Sequence, residues 1–380
     1  MKKMLCLAVS FMCILPIIMS QDLQWSHSTN ANDVQSGNYM GVDNMNNIYV
    51  GAVGTDKMYV IKYSSNGMLK FYAGDAQTDK FYGMAVHPSG KTYLVGDIDR
   101  GATQHDGLLR VFENDGSEYF VQYYDYLNHN DSFEDIVVDD DGNAYVTGVA
   151  KDVIDDYALT IKYSAGGSAE CIQTFGSVLD KYHGKIININ DNGEVFVIGN
   201  VLVNATGKQD LFMLHYDHEG NLIETMQEPF DPYSAIDPSF AVLDENDNLC
   251  VGGSLATGPA QYTGFVCRIT NGNMDWYELF KNPADFIRIN DGTLDHQGNV
   301  VACGIYLDVN TDAYYVKLSM AGSLLYEKRI NGPGGGNDMF WQVKSRNEYV
   351  YFCGGTTGIG TGVDYYLVKA DTDGVRDWDE

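Results

Sequence analysis

The chain has 380 residues, with 52 acidic against 24 basic side chains, and its formal net charge is −28. A surface of this charge repels a phosphate backbone and an anionic lipid headgroup, so the composition argues against nucleic-acid and membrane-surface partners. Hydrophobic residues make up 44% of the chain, which suffices for a folded core. The composition therefore predicts an acidic globular protein and excludes a disordered acidic polymer.

The first twenty residues have the pattern of a secretory signal peptide. The basic pair Lys2-Lys3 precedes an apolar stretch over residues 4–19, and Ser20 offers a small residue for cleavage. An uncleaved membrane anchor is the alternative, but the stretch is short for a span and contains Pro16. We expect residues 1–20 to be removed and residues 21–380 to form one domain. That domain is expected to be secreted or otherwise extracytoplasmic, in the periplasm or on the outer surface, without a membrane span.

A short strand that ends in glycine recurs along the rest of the chain. An early copy ends at Gly51. The later copies end at Gly96, Gly148, Gly199, Gly253, Gly304 and Gly354, and from Gly96 onward the intervals are 50 to 54 residues. Each copy continues with another strand, an Asn-Gly or Asp-Gly type turn, an aromatic-bearing strand and a strand that leads into the next copy. A regular period of this size is typical of solenoids, propellers and arrays.

Seven copies of four short strands predict an all-β fold, a seven-bladed β-propeller of four-stranded antiparallel blades. Residues 23–25 and residues 375–378 both have the pattern of an outer strand, which gives eight candidates for seven sheets. We expect one terminal strand to complete the last blade and close the ring, since closure removes an exposed edge. The sequence does not decide which terminus does so.

The repeats resemble those of secreted bacterial β-propeller proteins with SBBP-type repeats. The resemblance covers residues 22–380, and three phrases carry it: Asp141-Gly142-Asn143-Ala144-Tyr145-Val146-Thr147-Gly148, Asp312-Ala313-Tyr314-Tyr315-Val316-Lys317-Leu318, and Asp364-Tyr365-Tyr366-Leu367-Val368-Lys369 with Asp373-Gly374. The Asp-Phe-Pro segment that is common in this family after the glycine is absent. The family implies a secreted or surface-displayed propeller and no single activity.

Residues that recur in every copy are interpreted as structural. A basic residue or His lies near the end of the strand after each glycine-ended strand: Lys62, Arg110, Lys162, His215, Arg268, Lys317 and Lys369. A cationic ring for an anion is the functional alternative, but we favour one internal ion pair per blade. Two sets of aspartates recur as well, and we expect turn formation at one acidic face: Asp56, Asp106, Asp156, Asp210, Asp312 and Asp364, then Asp79, Asp131, Asp180, Asp237 and Asp338.

No pattern for a dedicated metal or cofactor site occurs. The Asp-rich turns at residues 139–143 and 371–374 allow weak calcium binding, but both lack the later bidentate Glu of an EF-hand loop. Cys-x-x-Cys and His-x-x-x-His pairs for zinc are absent. After signal removal five cysteines remain, so at least one is unpaired. A bridge between Cys250 and Cys267 is the less favoured alternative.

Segments that break the repeat are the candidates for ligand binding. The densest aromatic run lies at residues 119–130, and a Pro-rich connection at residues 228–238 is interpreted as a stiff protruding loop. Tyrosine rings with a hydroxyl suit sugars and protein surfaces. His183, at the start of an inner strand, is the best catalytic candidate, although an ordinary polar role is favoured. The candidate ligand-binding residues are Tyr123, Tyr124, Tyr126, His129, Phe230, Tyr233 and His183.

These features predict an exported binding or assembly module at the cell surface or in the envelope. Its irregular loops on one face would recognise a protein partner or a glycan. The alternative is a polysaccharide-acting enzyme, of the lyase or glycosidase type, with its site at the central channel mouth. A purely structural component of a surface complex is a further alternative. Catalytic signatures such as Gly-x-Ser-x-Gly and the P-loop are absent, so no catalytic residue is assigned and an enzyme is the less favoured interpretation.

Overall fold

The structure, a computed structural model, describes residues 34–54, 57–74, 79–101, 104–258, 261–280, 286–308, 310–332, 335–357, 364–371 and 373–379. The predicted signal peptide and the candidate strand at residues 23–25 lie outside these residues. In the described part of the chain, no helix has the length and apolar character that crossing a membrane requires.

The described residues form 28 strands that follow one another as seven units of four. The first three units contain β1 (Val34–Val42), β2 (Ile48–Gly54), β3 (Lys57–Tyr63) and β4 (Leu69–Gly74); β5 (Asp79–Val86), β6 (Thr92–Gly101), β7 (Gln104–Phe112) and β8 (Glu118–Tyr124); and β9 (Ser132–Val138), β10 (Ala144–Lys151), β11 (Asp156–Tyr163) and β12 (Ala169–Phe175).

The remaining four units follow the same order. They contain β13 (Lys181–Ile189), β14 (Val195–Val203), β15 (Lys208–Tyr216) and β16 (Leu222–Glu228); β17 (Ala235–Leu243), β18 (Leu249–Gly258), β19 (Gln261–Thr270) and β20 (Asn273–Phe280); β21 (Phe286–Leu294), β22 (Val300–Leu307), β23 (Thr311–Leu318) and β24 (Leu324–Ile330); and β25 (Asp338–Arg346), β26 (Tyr349–Thr356), β27 (Asp364–Asp371) and β28 (Arg376–Asp379).

The fold is an all-β propeller with four-stranded antiparallel blades, as the repeat predicts. Within each unit the strands pair antiparallel in chain order, and five units are separate four-stranded sheets. The third and fourth units belong to one eight-stranded sheet, in which a single parallel pair, Asp156 with Lys181, joins them. The C-terminal strand β28 pairs with β27 and thus forms the outer strand of the last sheet.

The recurring glycine is required by a close approach of two strands. In six of the units one extra residue bulges from the first strand next to the glycine of the second strand, as Lys185 does in the fourth unit. A side chain at Gly199 would place its Cβ only 2.0 Å from the carbonyl oxygen of His183, and one at Gly304 would meet the carbonyl of Arg288 at 1.9 Å. Only glycine fits there, and the bulge fixes where His183 lies.

We call the end of the units at which first and third strands begin the upper face, and the opposite end the lower face. The lower face carries the turns between first and second strands and between third and fourth strands. Asp139 in one such turn accepts hydrogen bonds from the backbone amides of Asp141 and Asn143 at 3.0 and 2.8 Å. Asp371 accepts those of Asp373 and Val375 at 3.0 and 2.8 Å. These carboxylates therefore stabilise the turns by accepting hydrogen bonds from the backbone.

The core lies between neighbouring units. One cluster joins Phe196 and Ile198 of the fourth unit to Val251 and Phe265 of the fifth, all at most 4% exposed. Both faces of a blade are therefore apolar, as expected of sheets packed on both sides. The five cysteines outside the predicted signal peptide are all free, so Cys250 and Cys267 form no bridge. Both lie in the core, as small buried hydrophobes.

The basic position of the third strand needs one correction. In six units the basic residue or His shares one register position, which Lys62 occupies opposite Tyr49. In the second unit Val111 holds this position opposite Tyr93, and Arg110 is one residue off. A shift of one residue turns a side chain to the other sheet face. The expected internal ion pairs do form, for example between Lys317 and Asp295 at 2.6 Å, with both side chains buried.

Candidate functional site

Two aspartates on the upper face each hold a histidine. In the second unit, Nδ1 of His105 lies 2.9 Å from Oδ1 of Asp97. Between the third and fourth units, Nε2 of His183 lies 2.9 Å from Oδ2 of Asp156. Both carboxylates are almost fully buried, whereas about a third of each histidine side chain is exposed. Each buried carboxylate therefore orients an accessible imidazole.

Asp97 also binds a tyrosine and a lysine from the first strand of its own unit. The hydroxyl of Tyr82 donates to Oδ2 of Asp97 at 2.8 Å, and Nζ of Lys80 lies 3.7 Å from the same oxygen. Tyr82 is the residue that bulges from β5, because its two neighbours pair with Gly96 and Val95 of β6. Burial, followed by the hydrogen bond to Asp97, raises the pKa of Tyr82. One carboxylate thus brings a phenol, an imidazole and an ammonium group together.

Asp156 is surrounded by cations. Besides His183, Nζ of Lys151 lies 3.3 Å from Oδ2 and Nζ of Lys181 lies 3.7 Å from Oδ1. Burial acts to raise the pKa of Asp156, but the hydrogen bond from His183 and the charges of Lys151 and Lys181 lower it to about 2. Two lysines share one carboxylate, so this group of residues retains a positive charge.

Asp131 connects the two groups through the backbone. Its amide donates to the carbonyl of His105 at 2.7 Å, and its Oδ1 accepts the amide of Lys151 at 2.9 Å. Burial raises the pKa of Asp131 to about 7, and the charges of Asp125 and Asp106 add to this effect. One group consists of Asp97 with Lys80, Tyr82 and His105, and the other of Asp156 with Lys151, Lys181 and His183. The two groups are therefore parts of one connected surface over the second, third and fourth units, which we call the histidine surface.

The geometry leaves one nitrogen of each imidazole available. Among the described residues, no hydrogen bond reaches Nδ1 of His183 or Nε2 of His105. A histidine that is oriented by a carboxylate on one nitrogen can accept a proton or bind a ligand hydroxyl with the other. The histidine surface thus has the groups for polar ligand binding and for acid–base chemistry.

The structure places part of the predicted aromatic run beside these groups. Tyr123 is the last residue but one of β8 and is 41% exposed, and the guanidinium of Arg100 lies 4.1 Å from its ring centroid. Nε of Arg100 also donates to Oδ2 of Asp106 at 2.8 Å, which fixes the guanidinium. Arg100, which Asp106 holds, therefore lies over one face of the Tyr123 ring, and the ring remains partly exposed.

The other candidate residues of the run, Tyr124, Tyr126 and His129, are half-buried. Tyr124 packs against Phe133, with ring centroids 6.1 Å apart, and Tyr126 packs edge-on against Tyr157 at 6.0 Å. Burial raises the pKa of Tyr124 to about 12. His129 is half-buried in the connection to the third unit. These three side chains stabilise the connection more than they offer free surface.

The Pro-rich connection differs from the prediction. Phe230 and Tyr233 are only 7% and 9% exposed and belong to the core cluster between the fourth and fifth units. Phe230 packs against Phe265 and Tyr277, with ring centroids 5.2 and 5.4 Å apart. The segment folds down onto the blades because its aromatic side chains find apolar partners there. It does not protrude, and these two rings are not available to a ligand.

Several residues of this site were not identified from the sequence, among them Tyr82, Asp97 and His105. The available signal is at Asp97, which follows the repeat glycine directly, where other copies have residues such as Val149, Asn200 or Ser254. A carboxylate at a position that the repeat does not prescribe indicates a local role. The described aspartates of the two recurring sets, such as Asp131 and Asp156, lie at the upper face, as expected, and Asp56 lies outside the described residues.

Among the residues that the structure describes, no cluster of three or more His, Cys, Asp or Glu side chains has a metal-binding arrangement. The residues of the histidine surface are consistent with this finding. Their carboxylates bind cationic side chains and backbone amides of the protein itself, as Asp156 and Asp131 do.

Comparison with known proteins supports the fold alone. No protein-family model matches the chain, and no curated protein matches it. Among solved structures, a polysaccharide lyase (an ulvan lyase bound to -[GlcA(1-4)Rha3S]-) has a TM-score of 0.57 and 12% identity, over 90% of this chain and 95% of that chain. A protein from Lactobacillus plantarum has a TM-score of 0.53 and 14% identity, over 84% and 90%.

The third similar structure is that of a prolyl endopeptidase. Its TM-score is 0.54 and its identity 11%, over 92% of this chain and 50% of that chain. At these identities the likeness shows a shared propeller fold, and activity has to be argued from the residues of the site.

Proposed function

We propose that this protein is an exported propeller that binds an acidic glycan on the histidine surface. The observation that carries the proposal is the set of buried carboxylates that hold His105, His183 and Arg100 at one face, with Tyr123 exposed beside Arg100. A sugar offers apolar C–H faces and hydroxyl groups, which suit an aromatic ring and fixed polar side chains. The recognised partner is thus a glycan; a protein partner is the alternative outcome of the binding test.

The charge of the site supports an acidic sugar. Lys151 and Lys181 share the carboxylate of Asp156, and Lys181 and Lys80 keep 44% and 58% of their side chains exposed. The carboxylates of Asp97 and Asp156 are buried and already paired within the protein, so these exposed ammonium groups can bind the carboxylate of a uronate. The ulvan lyase of similar fold is bound to a glucuronate-containing glycan, which is compatible with this ligand class.

The architecture and location that we propose follow from the repeat. The third and fourth units count as two blades, because only the pair Asp156–Lys181 joins them, and the propeller then has seven blades. We propose that the first and last blades pack against each other and close the ring, so that neither end of the propeller is exposed. Residues 1–20 are proposed to direct export, and residues 21–380 to form a single domain outside the cytoplasm. We further propose that the turns of the lower face bind calcium weakly and that the protein needs no cofactor.

Binding of acidic polysaccharides tests the proposed function. Affinity electrophoresis or calorimetry would compare polygalacturonate and alginate with neutral dextran. Tyr123→Ala should weaken binding about tenfold, since truncation of a central aromatic anchor costs more than ~1 kcal/mol. Tyr119→Ala is the matched control, because Tyr119 is 45% exposed in the same strand with Lys91 over its ring at 3.6 Å. Equal loss in both variants, or no binding to any acidic glycan, would contradict the proposal.

A second candidate function is cleavage of the bound glycan by β-elimination. The observation that favours it is the orientation of an imidazole and a phenol by one buried carboxylate, Asp97. In such a reaction a base removes the proton next to the uronate carboxylate, the bond to the leaving oxygen breaks, and an acid protonates that oxygen. His105 or His183 would be the base, Tyr82 the acid, and an exposed lysine would neutralise the uronate.

Product analysis separates binding from cleavage. β-Elimination creates an unsaturated uronate whose double bond absorbs ultraviolet light, so a continuous absorbance assay detects it. Cleavage that disappears in His105→Ala or His183→Ala, while glycan binding persists, would establish the enzyme. Binding without any unsaturated product would leave the binding module as the function.

A further inference from the structure

The fourth unit departs from the repeat at two neighbouring positions of its lower half. In six units the third-strand basic residue or His pairs across the sheet with one fourth-strand residue. These pairs are Lys62 with Phe71, Lys162 with Cys171, His215 with Glu224, Arg268 with Trp276, Lys317 with Tyr326, and Lys369 with Trp378. Within this set, the fourth unit alone has a histidine at the first position and a carboxylate at the second.

In other units the third-strand basic residue and its fourth-strand partner fill the space between one unit and the lower turn of the next. In the fifth unit, Nη1 and Nη2 of Arg268 donate at 2.9 Å to the carbonyl of Met320 and to Oδ2 of Asp244. Nε1 of Trp276 donates to the same carbonyl at 3.1 Å, and the indole lies 2.7 Å from the position of a Cβ at Gly322. A cationic head group and a flat ring thus close this interface.

At the fourth unit the equivalent space is open. A cavity of about 370 Å³ lies between the fourth and fifth units, with His215 and Glu224 in its wall. The preceding interface has Lys162 and Cys171 at these positions, and its equivalent cavity measures about 20 Å³. The short imidazole does not reach as far as a lysine or arginine. In addition, the turn of the fifth unit that lines the cavity, with Asn271 and Gly272, is one residue shorter than the equivalent turn of the fourth unit, so both departures contribute to the volume.

The charged groups in the wall of this cavity are carboxylates around one histidine. Nε2 of His215 lies 3.5 Å from Glu194, and its Nδ1 lies 4.0 Å from Glu224. Asp247 adds a third carboxylate to the wall. In three other units a lysine or arginine occupies the corresponding place next to a carboxylate, as Arg268 does next to Asp244. The cavity thus keeps carboxylates but lacks the long cationic side chain that accompanies them in the repeat.

Apolar side chains form a second part of the wall, beside the amides of Asn246, Asn248 and Asn271. Phe196 stacks on the imidazole of His215, with ring centroids 4.1 Å apart, and Met213, Leu249 and Ile269 contribute further apolar surface. An aliphatic stem would pack against this wall as the stems of lysine and arginine do in other units. The carboxylates favour a cationic group, and the apolar side chains favour an aliphatic stem that carries it.

We propose that this cavity binds a ligand that carries an ammonium or guanidinium group on a short alkyl stem. The ligand supplies the cation that Arg268 supplies at the next interface, with Glu194 and Glu224 as its partners. The site lies on the lower face, whereas the histidine surface lies on the upper face. The inference therefore stands whether or not the protein binds a glycan.

Calorimetric titration of the full chain with agmatine tests the proposal. Agmatine should bind saturably with one site, and 1-butanol, which has a stem without a charge, should not. A capped Gly-Arg-Gly peptide distinguishes the source of the group: binding of the peptide indicates an arginine of a partner protein, and binding of agmatine alone indicates a free amine. Absence of binding by both cations, or equal binding of 1-butanol, would overturn the proposal.

Two variants test the location of the site. His215→Lys places the repeat's own cation in the cavity and should weaken agmatine binding at least tenfold. His218→Lys is the matched control, because this exposed histidine lies three residues away and gives the same charge change. Glu224→Gln should also weaken binding about tenfold, while Glu219→Gln in the exposed turn should not. The glutamine variant alters charge without size, so it decides the question if His215→Lys fails to fold. Unchanged affinity in Glu224→Gln would overturn the location.

Discussion

Removal of the negative charge of Asp156 is the sharpest perturbation of the histidine surface. Asp156→Asn keeps the shape of the side chain but removes the charge that attracts Lys151, Lys181 and His183. The pKa of Asp156 is lowered from 3.8 to about 2 in the folded protein. At about 1.4 kcal/mol per pKa unit, the ionised carboxylate stabilises the folded state by roughly 2 kcal/mol.

The sign of this effect determines its pH dependence. A carboxyl group whose pKa is lowered by folding contributes its stability above the pKa of the unfolded chain. For Asp156 that contribution is complete above about pH 5 and decreases as the pH falls through 3.8 towards 2. The difference in the free energy of unfolding between the wild type and Asp156→Asn should therefore be roughly 2 kcal/mol at pH 7 and close to zero at pH 2.

Urea denaturation followed by tryptophan fluorescence at several pH values measures this difference. Asp140→Asn, in an exposed lower turn, is the matched control and should change stability by less than about 0.5 kcal/mol at each pH. A wild-type advantage that stays constant between pH 2 and pH 7 would refute the electrostatic reasoning. An advantage well below 1 kcal/mol at pH 7 would show that the cations do not stabilise the ionised carboxylate.

Three further predictions concern the blades. Gly322→Ala should destabilise the protein by about 1–3 kcal/mol more than Gly298→Ala, because both have a φ near +80° but only the first would meet a ring, that of Trp276; equal losses in urea denaturation would contradict this. Asp295→Ala should cost about 3–5 kcal/mol, since it leaves the buried ammonium of Lys317 without its 2.6 Å partner, and a loss under 1 kcal/mol would refute a paired charge there. Burial raises the pKa of Cys250 to about 12 and also raises those of Cys267 and Cys303, so a thiol reagent should modify these residues only after unfolding; rapid modification in the native protein would contradict their burial.

The repeat made the fold predictable, and its local chemistry explains why. Asn-Gly and Asp-Gly turns determine hairpins through short-range backbone preferences, and the turn at Asp139 shows the expected hydrogen bonds. The glycine that precedes Asn200 reflects a close backbone approach, which recurs at Gly148, Gly253, Gly304 and Gly354. The position of Arg110 was not predictable in the same way, because strand register depends on pairing along the whole hairpin.

The candidate site was predictable only in part. His183 and Tyr123 lie on the histidine surface, but Asp97 and His105 meet across a hairpin, where a shift of one residue would separate them. The burial of Phe230 is decided by apolar partners more than thirty residues away, such as Phe265. The recurring aspartates show the same limit, because Asp156 belongs to a repeated set and only its neighbours His183 and Lys181 make it special.

The most direct test of glycan binding is a crystal structure of the protein with a bound uronate oligosaccharide. The account predicts a sugar ring packed on Tyr123, with its polar groups within hydrogen-bond distance of Arg100 and of the free nitrogen of His105 or His183. An oligosaccharide bound at another part of the propeller, with the histidine surface occupied by solvent alone, would contradict it.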